Sequence, residues 1–215
     1  MADKRLMDIY EKLLERYGWL DWWPAETPYE VIAGAILTQN TNWNNVEKAL
    51  ANFKGRLSPQ FVLAADMANL IHIIRPAGFF NQKSLYLKEV TAWFGKYDFD
   101  VERVRKCHLD QLRGELLATK GVGPETADSI LLYAFGLPTF VIDAYTMRLC
   151  YRYGVDVGKS YAAAKAYFET NLPESAEIYN NYHALIVING KYHCKKRPNC
   201  DGCPLERDCA KRGVK

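Results

Sequence analysis

Four cysteines stand within sixteen residues near the C-terminus, Cys194, Cys200, Cys203 and Cys209, in the order C-x5-C-x2-C-x5-C. A set this tight reads as ligands. In a reducing compartment neighbouring thiols are poor candidates for disulfides, and as thiolates they repel one another unless a cation holds them. Structural zinc sites usually pair two short Cys-x2–4-Cys knuckles, and here only Cys200 and Cys203 make one. An all-thiolate iron–sulfur cluster tolerates longer loops, so the spacing favours a cluster and leaves zinc as the alternative. Cys107 and Cys150 lie in helical patterns and read as small buried residues.

A second constellation is "TKGVGPETADSILLYAFGLPTFVIDAYTMR", residues 119–148. Gly121 and Gly123 precede a helix that starts at Pro124, so unhindered amides and a positive helix end point at one spot, which suits a phosphate and selects no base. A helical pattern over Leu109–Ala118 comes before it, making a helix–hairpin–helix; a Gly-x-Gly alone would more often be an ordinary tight turn. Glu125 falls in the first turn of the second helix, where the dipole favours a carboxylate. Asp143 sits in an apolar neighbourhood ahead of a helical pattern over Ala144–Tyr153. It can cap that helix, and an aspartate so placed also stays ionised.

The elements that must position these groups are helical almost throughout. Apolar residues recur at helical spacing, as in Leu6, Ile9, Tyr10, Leu13, Leu14 and Tyr17, and no segment sustains strand alternation. Helix starts are marked at Ser58-Pro59, Asp66, Pro124, Asp143 and Ser160, which gives an all-α fold of roughly ten helices. The chain of 215 residues is 49% hydrophobic, ample for a folded core. Its net charge of +3 is uneven: residues 191–215 carry +5 and the rest −2, a basic lobe suited to a polyanion. The charged N-terminus lacks the apolar core of a signal peptide, and the longest uncharged apolar run, Ser129–Ile142, is broken by Gly136 and Pro138. A soluble cytoplasmic protein is expected.

Taken together, "LLATKGVGPETADSILLYAFGLPTFVIDAYTMRL" and the four-cysteine tail resemble the endonuclease III superfamily of helix–hairpin–helix DNA glycosylases, over nearly the whole chain. "WWPAETPYEVIAGAILTQNTNW", "RPAGFFNQK" and "KGVGPETADSILLYA" are closest to bacterial 3-methyladenine DNA glycosylase III. The resemblance implies a two-lobed protein, with a helical barrel over residues 25–135 and an iron–sulfur lobe from residues 1–24 plus 136–215. It also implies a [4Fe–4S] cluster on Cys194, Cys200, Cys203 and Cys209, although the family more often has six residues in the first interval. A monomer acting on double-stranded DNA with a damaged base follows.

Residue by residue, Asp143 matches the family's essential aspartate, which stabilises the sugar cation and can orient the attacking water. Glu125 stands where bifunctional members carry a lysine nucleophile, and a carboxylate cannot form an imine. Base release without strand cleavage is therefore implied. Trp22, Pro24 and Trp43, with Glu125, match the base pocket, and indole faces suit a cationic alkylpurine. Gln39 and Phe79 resemble the residues that fill the space of an extruded base, though either Phe79 or Phe80 could face the DNA. Asn81, Lys83, Gly121, Gly123, Lys195, Lys196 and Arg197 complete the DNA-contacting set, and the resemblance implies a seat for a monovalent cation at carbonyls near Leu117, Thr119 and Val122. Rival substrates are a mismatched thymine or uracil, hypoxanthine, or the oxidised pyrimidines of endonuclease III itself. A rival of another class is a non-catalytic DNA-binding iron–sulfur protein.

Overall fold

The computed structural model describes residues 3–20 and 22–214, and these contain helices and loops but no strand. Twelve α-helices are present among the described residues. The chain divides into two compact units, Trp23–Leu137 and a second in which the N-terminal helix joins Pro138 onward. The first unit is two residues wider at each end than the barrel expected over 25–135.

The Trp23–Leu137 unit is built around α2 (Pro28–Leu37), in which eight of ten residues are buried. A helix apolar on every side has to be central. Thr27 caps it by accepting from Glu30 N at 3.1 Å, and Pro28 occupies the first turn where its missing N–H costs nothing. Around it run α3 (Trp43–Ala51), α4 (Pro59–Ala64), α5 (Met67–Ile74), α6 (Phe80–Gly95), α7 (Val101–Arg105), α8 (Leu109–Ala118) and α9 (Pro124–Ser129). Ser58 and Asp66 cap α4 and α5 through Phe61 N and Asn69 N. Helix α9 widens into a π-helical turn over Ile130–Ala134, which packs on α2. A bidentate ion pair from the partly exposed Arg113 to the buried Asp128, at 2.8 and 3.1 Å, ties α8 to α9 across the hairpin.

The other unit contains α1 (Lys4–Tyr17), α10 (Ala144–Tyr153), α11 (Tyr161–Asn171) and α12 (Ala176–Tyr192), followed by the cysteine loop. Tyr182 of α12 packs on Tyr10 with ring centroids 5.1 Å apart and donates to the Leu6 carbonyl at 2.7 Å, docking α1. Phe140 stacks on Phe168 at 4.2 Å and meets Tyr179 and Tyr182 edge-on. A Cβ on Gly190 would lie 2.2 Å from Tyr145, so α10 and α12 approach closely at a residue that must be glycine.

Candidate functional site

The hairpin of the first unit is a tight turn in which Val122 N donates to the Thr119 carbonyl at 3.1 Å. Gly121 has φ +85°, and a Cβ there would lie 2.0 Å from Tyr86, so glycine is required on both backbone and packing grounds. Gly123 differs. Its φ is −92°, nothing lies within 4 Å of the Cβ position, and it is exposed at the start of α9. The fold therefore does not need glycine there.

Beside the hairpin is a cavity of about 560 Å³ whose walls include Trp23, Gln39, Phe79, Lys83, Gly121 and Glu125. Phe79 is 62% exposed and holds a left-handed backbone, φ +46°, at the start of α6. An aromatic residue in that conformation is strained, which the surrounding loop must enforce. Phe80 is the half-buried partner, packed on the core with Arg75 5.1 Å above its ring. Of the two phenylalanines, Phe79 is the one free to meet a ligand. Gln39 donates to the Gly121 carbonyl at 2.9 Å and to Thr126 Oγ1 at 3.1 Å, so it braces the hairpin from within the cavity. Asn81 is exposed on α6.

Lys83 departs from the expectation of a DNA contact. It is 2% exposed, and its Nζ donates to the Leu37 and Ala77 carbonyls at 2.8 and 2.7 Å. Burial pushes its pKa down to about 8. A buried ammonium must be hydrogen-bonded, and these carbonyls satisfy it. The signal was available: Lys83 lies on the same stripe of α6 as Leu87, Val90 and Phe94, all buried.

The aromatic set also rearranges. Trp22 is absent from the cavity wall; Lys191 lies 5.0 Å over its ring, in the second unit. Trp23 takes the wall position, 5.0 Å from Tyr133 and edge-on to Trp43 at 5.6 Å. It lies against Gly34 of α2, where a Cβ would be in contact with the indole at 3.4 Å. Pro24 and Trp43 line a separate concavity with Glu26, Glu30 and Glu47.

Asp143 caps α10. Its Oδ1 accepts from Thr146 N at 2.7 Å and Thr146 Oγ1 at 3.0 Å, and His183 Nε2 lies 3.5 Å from Oδ2. Burial raises the carboxyl pKa, but His183 and the Thr146 donors outweigh it and hold the group below its ordinary value. Asp143 is thus an anion in a largely dry setting. His183 escaped sequence reading because the run Asn181–Val187 is buried on all sides and shows no polar face.

The four cysteines line one small cavity together with Leu149, Tyr153 and Leu205, and all are free thiols. Burial, then neighbouring thiols, raise Cys203 and Cys209, a repulsion that a bound cation would relieve. Among the described residues no three such groups converge on one ion position. Arg152 donates to Cys194 Sγ at 3.4 Å and to the Lys195 and Lys196 carbonyls, and Arg148 donates to the Cys194 carbonyl at 2.7 Å. The side chains of Lys195, Lys196 and Arg197 are exposed.

Residues 33–174 match the HhH-GPD superfamily of base excision DNA repair proteins, which includes the hairpin and Asp143. The chain belongs to this family. It is 50% identical to a DNA repair glycosylase of Methanocaldococcus jannaschii, MJ1434, itself assigned only provisionally, over 94% of each chain. It is 32% identical to endonuclease III of Sulfolobus acidocaldarius, over 84% of this chain and 81% of that one. The crystal structure of Helicobacter pylori 3-methyladenine DNA glycosylase (MagIII) bound to 1,N6-ethenoadenine superposes with a TM-score of 0.73 at 26% identity, covering 87% of this chain and 96% of that one. The protein is accordingly a DNA glycosylase of base excision repair with the all-helical HhH-GPD fold. No described helix is long and apolar enough to cross a membrane.

Proposed function

We propose that this HhH-GPD protein is a monofunctional glycosylase that removes alkylated purines from duplex DNA and leaves an abasic site. The observation that carries the reading is Glu125 on the cavity wall, at the position where the bifunctional relatives implied by the sequence resemblance hold a lysine. A carboxylate cannot attack the sugar to form an imine. The other amine at the wall, Lys83, is held as a donor to two carbonyls and stays an ammonium below about pH 8.

In this reading Gly123 and the α9 amides grip a phosphate, Phe79 occupies the space left by the extruded nucleotide, and Trp23 offers an aromatic face to the base. A purine nucleotide alkylated at N3 or N7 carries positive charge, which an indole face attracts by about 0.5–2 kcal/mol. As the C1′–N bond breaks, its electron pair leaves with the now neutral base, and the sugar becomes an oxocarbenium-like cation. Asp143 stabilises that cation, and water forms the new C1′–O bond while giving up a proton to the carboxylate. The ethenoadenine bound to the H. pylori enzyme is itself a modified purine, which supports the substrate class.

The thiols fit an iron–sulfur cluster: four free cysteines line one cavity, and an all-thiolate donor set is what such a cluster takes. Cys194, Cys200, Cys203 and Cys209 would hold it, and it would supply four iron–thiolate links that fix the basic loop. The exposed Lys195, Lys196 and Arg197 then add salt-dependent affinity for phosphate.

A panel of duplexes carrying methylated purines, ethenoadenine, hypoxanthine, uracil, a T·G mismatch or an oxidised pyrimidine tests the reading. Methylated purines should be released, with strand breaks only after alkali. Nicking without alkali, or covalent trapping by borohydride, would refute the absence of lyase chemistry. Release confined to hypoxanthine, uracil or thymine would move the substrate class to bases with a carbonyl oxygen, which the unpartnered Nε1–H of Trp23 could meet.

A further inference from the structure

We infer that His183 is a positioning residue for Asp143, fixing the plane of its carboxylate for attack on the sugar; this rests on the role proposed for Asp143 above. One carboxylate oxygen is fully engaged by the helix cap, since Oδ1 takes both Thr146 donors. These contacts pin one oxygen only and leave the group able to swing about it. His183 Nε2, 3.5 Å from Oδ2, supplies the second point. A distance of 3.5 Å is long for a strong hydrogen bond, so Oδ2 keeps lone-pair density for water while facing a polar group that disfavours its protonated form. Such contacts in unliganded sites tighten when substrate binds.

The imidazole sits in the packed interior of α12. His183 is 7% exposed, within a stretch of α12 whose neighbours Tyr182 and Ala184 are fully buried. Tyr182 is tied to α1, and Asn181 accepts from Leu20 N at 3.0 Å. Close packing of Tyr145 on Gly190 sets the spacing of α10, which carries the aspartate at its start, from α12, which carries the histidine. Aspartate and histidine are therefore presented by two helices in fixed register, not by mobile loops.

The test compares His183→Phe, which removes the polar nitrogen, with His183→Gln, which returns an N–H near the position of Nε2. Single-turnover release of methylpurine from DNA treated with a methylating agent gives the rate, and titration of the same DNA gives Kd. His183→Phe should slow release by about 10²-fold, the scale of a misplaced reacting group, with Kd changed less than about 2-fold. His183→Gln should recover most of that rate. Wild-type release by His183→Phe overturns the inference, as do two variants that are equally slow with equally lowered melting temperatures, which is the signature of packing alone. Asp143→Asn, run alongside, separates the two claims. If it releases base normally, the role of Asp143 falls; if it is inert while His183→Phe is unimpaired, only the role of His183 falls. Wild-type protein inert on this DNA overturns both.

Discussion

Two glycines of the hairpin, two residues apart, should respond oppositely to the same substitution. In Gly121→Ala the backbone must hold φ +85° with a Cβ, at about 1–2 kcal/mol. That Cβ would also lie 2.0 Å from Tyr86 Cγ and 2.2 Å from its Cδ1, so the ring has to move, and overpacking of this kind costs about 1–3 kcal/mol. Together about 2–5 kcal/mol is lost, which in a chain of this length lowers Tm by roughly 5–15 °C. Gly123→Ala meets no atom within 4 Å and has an ordinary φ of −92°. Its Tm should stay within about 3 °C of the parent, with a slight gain from the stiffer unfolded chain. DNA affinity reverses the order of interest: Gly123→Ala, though stable, should bind undamaged duplex several-fold more weakly, because the methyl group stands between phosphate and the helix amides. Thermal melts and fluorescence-anisotropy titrations on both variants decide it. If Gly123→Ala binds as the parent does, the phosphate grip is wrong; if Gly121→Ala melts as the parent does, the close approach of Tyr86 to the hairpin is wrong.

Arg113→Met removes the bidentate partner of the fully buried Asp128 carboxylate and should cost about 3 kcal/mol in urea unfolding, the low end for a broken buried pair because Arg113 keeps some solvent contact. Lys83→Met deprives the Leu37 and Ala77 carbonyls of their shared donor and should cost about 1–3 kcal/mol. The sign of its pH dependence is also fixed: with a folded pKa of about 8 against 10.5, the unfolded chain holds more protons between those values, so parent stability rises with pH across that window and the slope vanishes in Lys83→Met. Protein purified without oxygen should contain iron and sulfide and be brown, and Cys203→Ala should lose the colour; stoichiometric zinc in place of iron would exclude the cluster. Replacing Glu125 by lysine, Glu125→Lys, should introduce borohydride-trappable complexes with DNA, and failure to trap would show that the position is not within reach of the sugar.

Much of the fold could be read from residue types that act locally. Ser58, Asp66, Asp143 and Ser160 each accept a hydrogen bond from an amide three residues on, as their types and following sequence led one to expect. Caps are legible because the interaction spans one turn and needs no knowledge of the rest of the chain. The adjacent tryptophans were not legible. Trp22 and Trp23 precede α2 in a segment without helical or strand period, so no rule says which ring turns toward the cavity. That choice depends on packing against distant residues, such as Gly34 of α2, eleven residues away in sequence.

Lys83 is too buried for the DNA contact expected of it, and the bond it makes instead bears on how the site is held. Gln39, half-exposed on the cavity wall, likewise donates to a main-chain carbonyl. Lys83 holds Ala77, in the turn immediately before Gly78 and Phe79. Gln39 holds Gly121, at the tip of the hairpin. A left-handed Phe79 would relax if its loop were free to do so, and the hydrogen bond from Lys83 beneath it opposes that relaxation, while the bond from Gln39 fixes the hairpin at Gly121. The polar groups thus act one step behind the ligand, on the geometry of the loops that meet it. Substitutions at Lys83 or Gln39 should accordingly alter the rate and fidelity of base extrusion more than the salt dependence of binding, whereas Lys195, Lys196 and Arg197, exposed on the cysteine loop, should do the reverse.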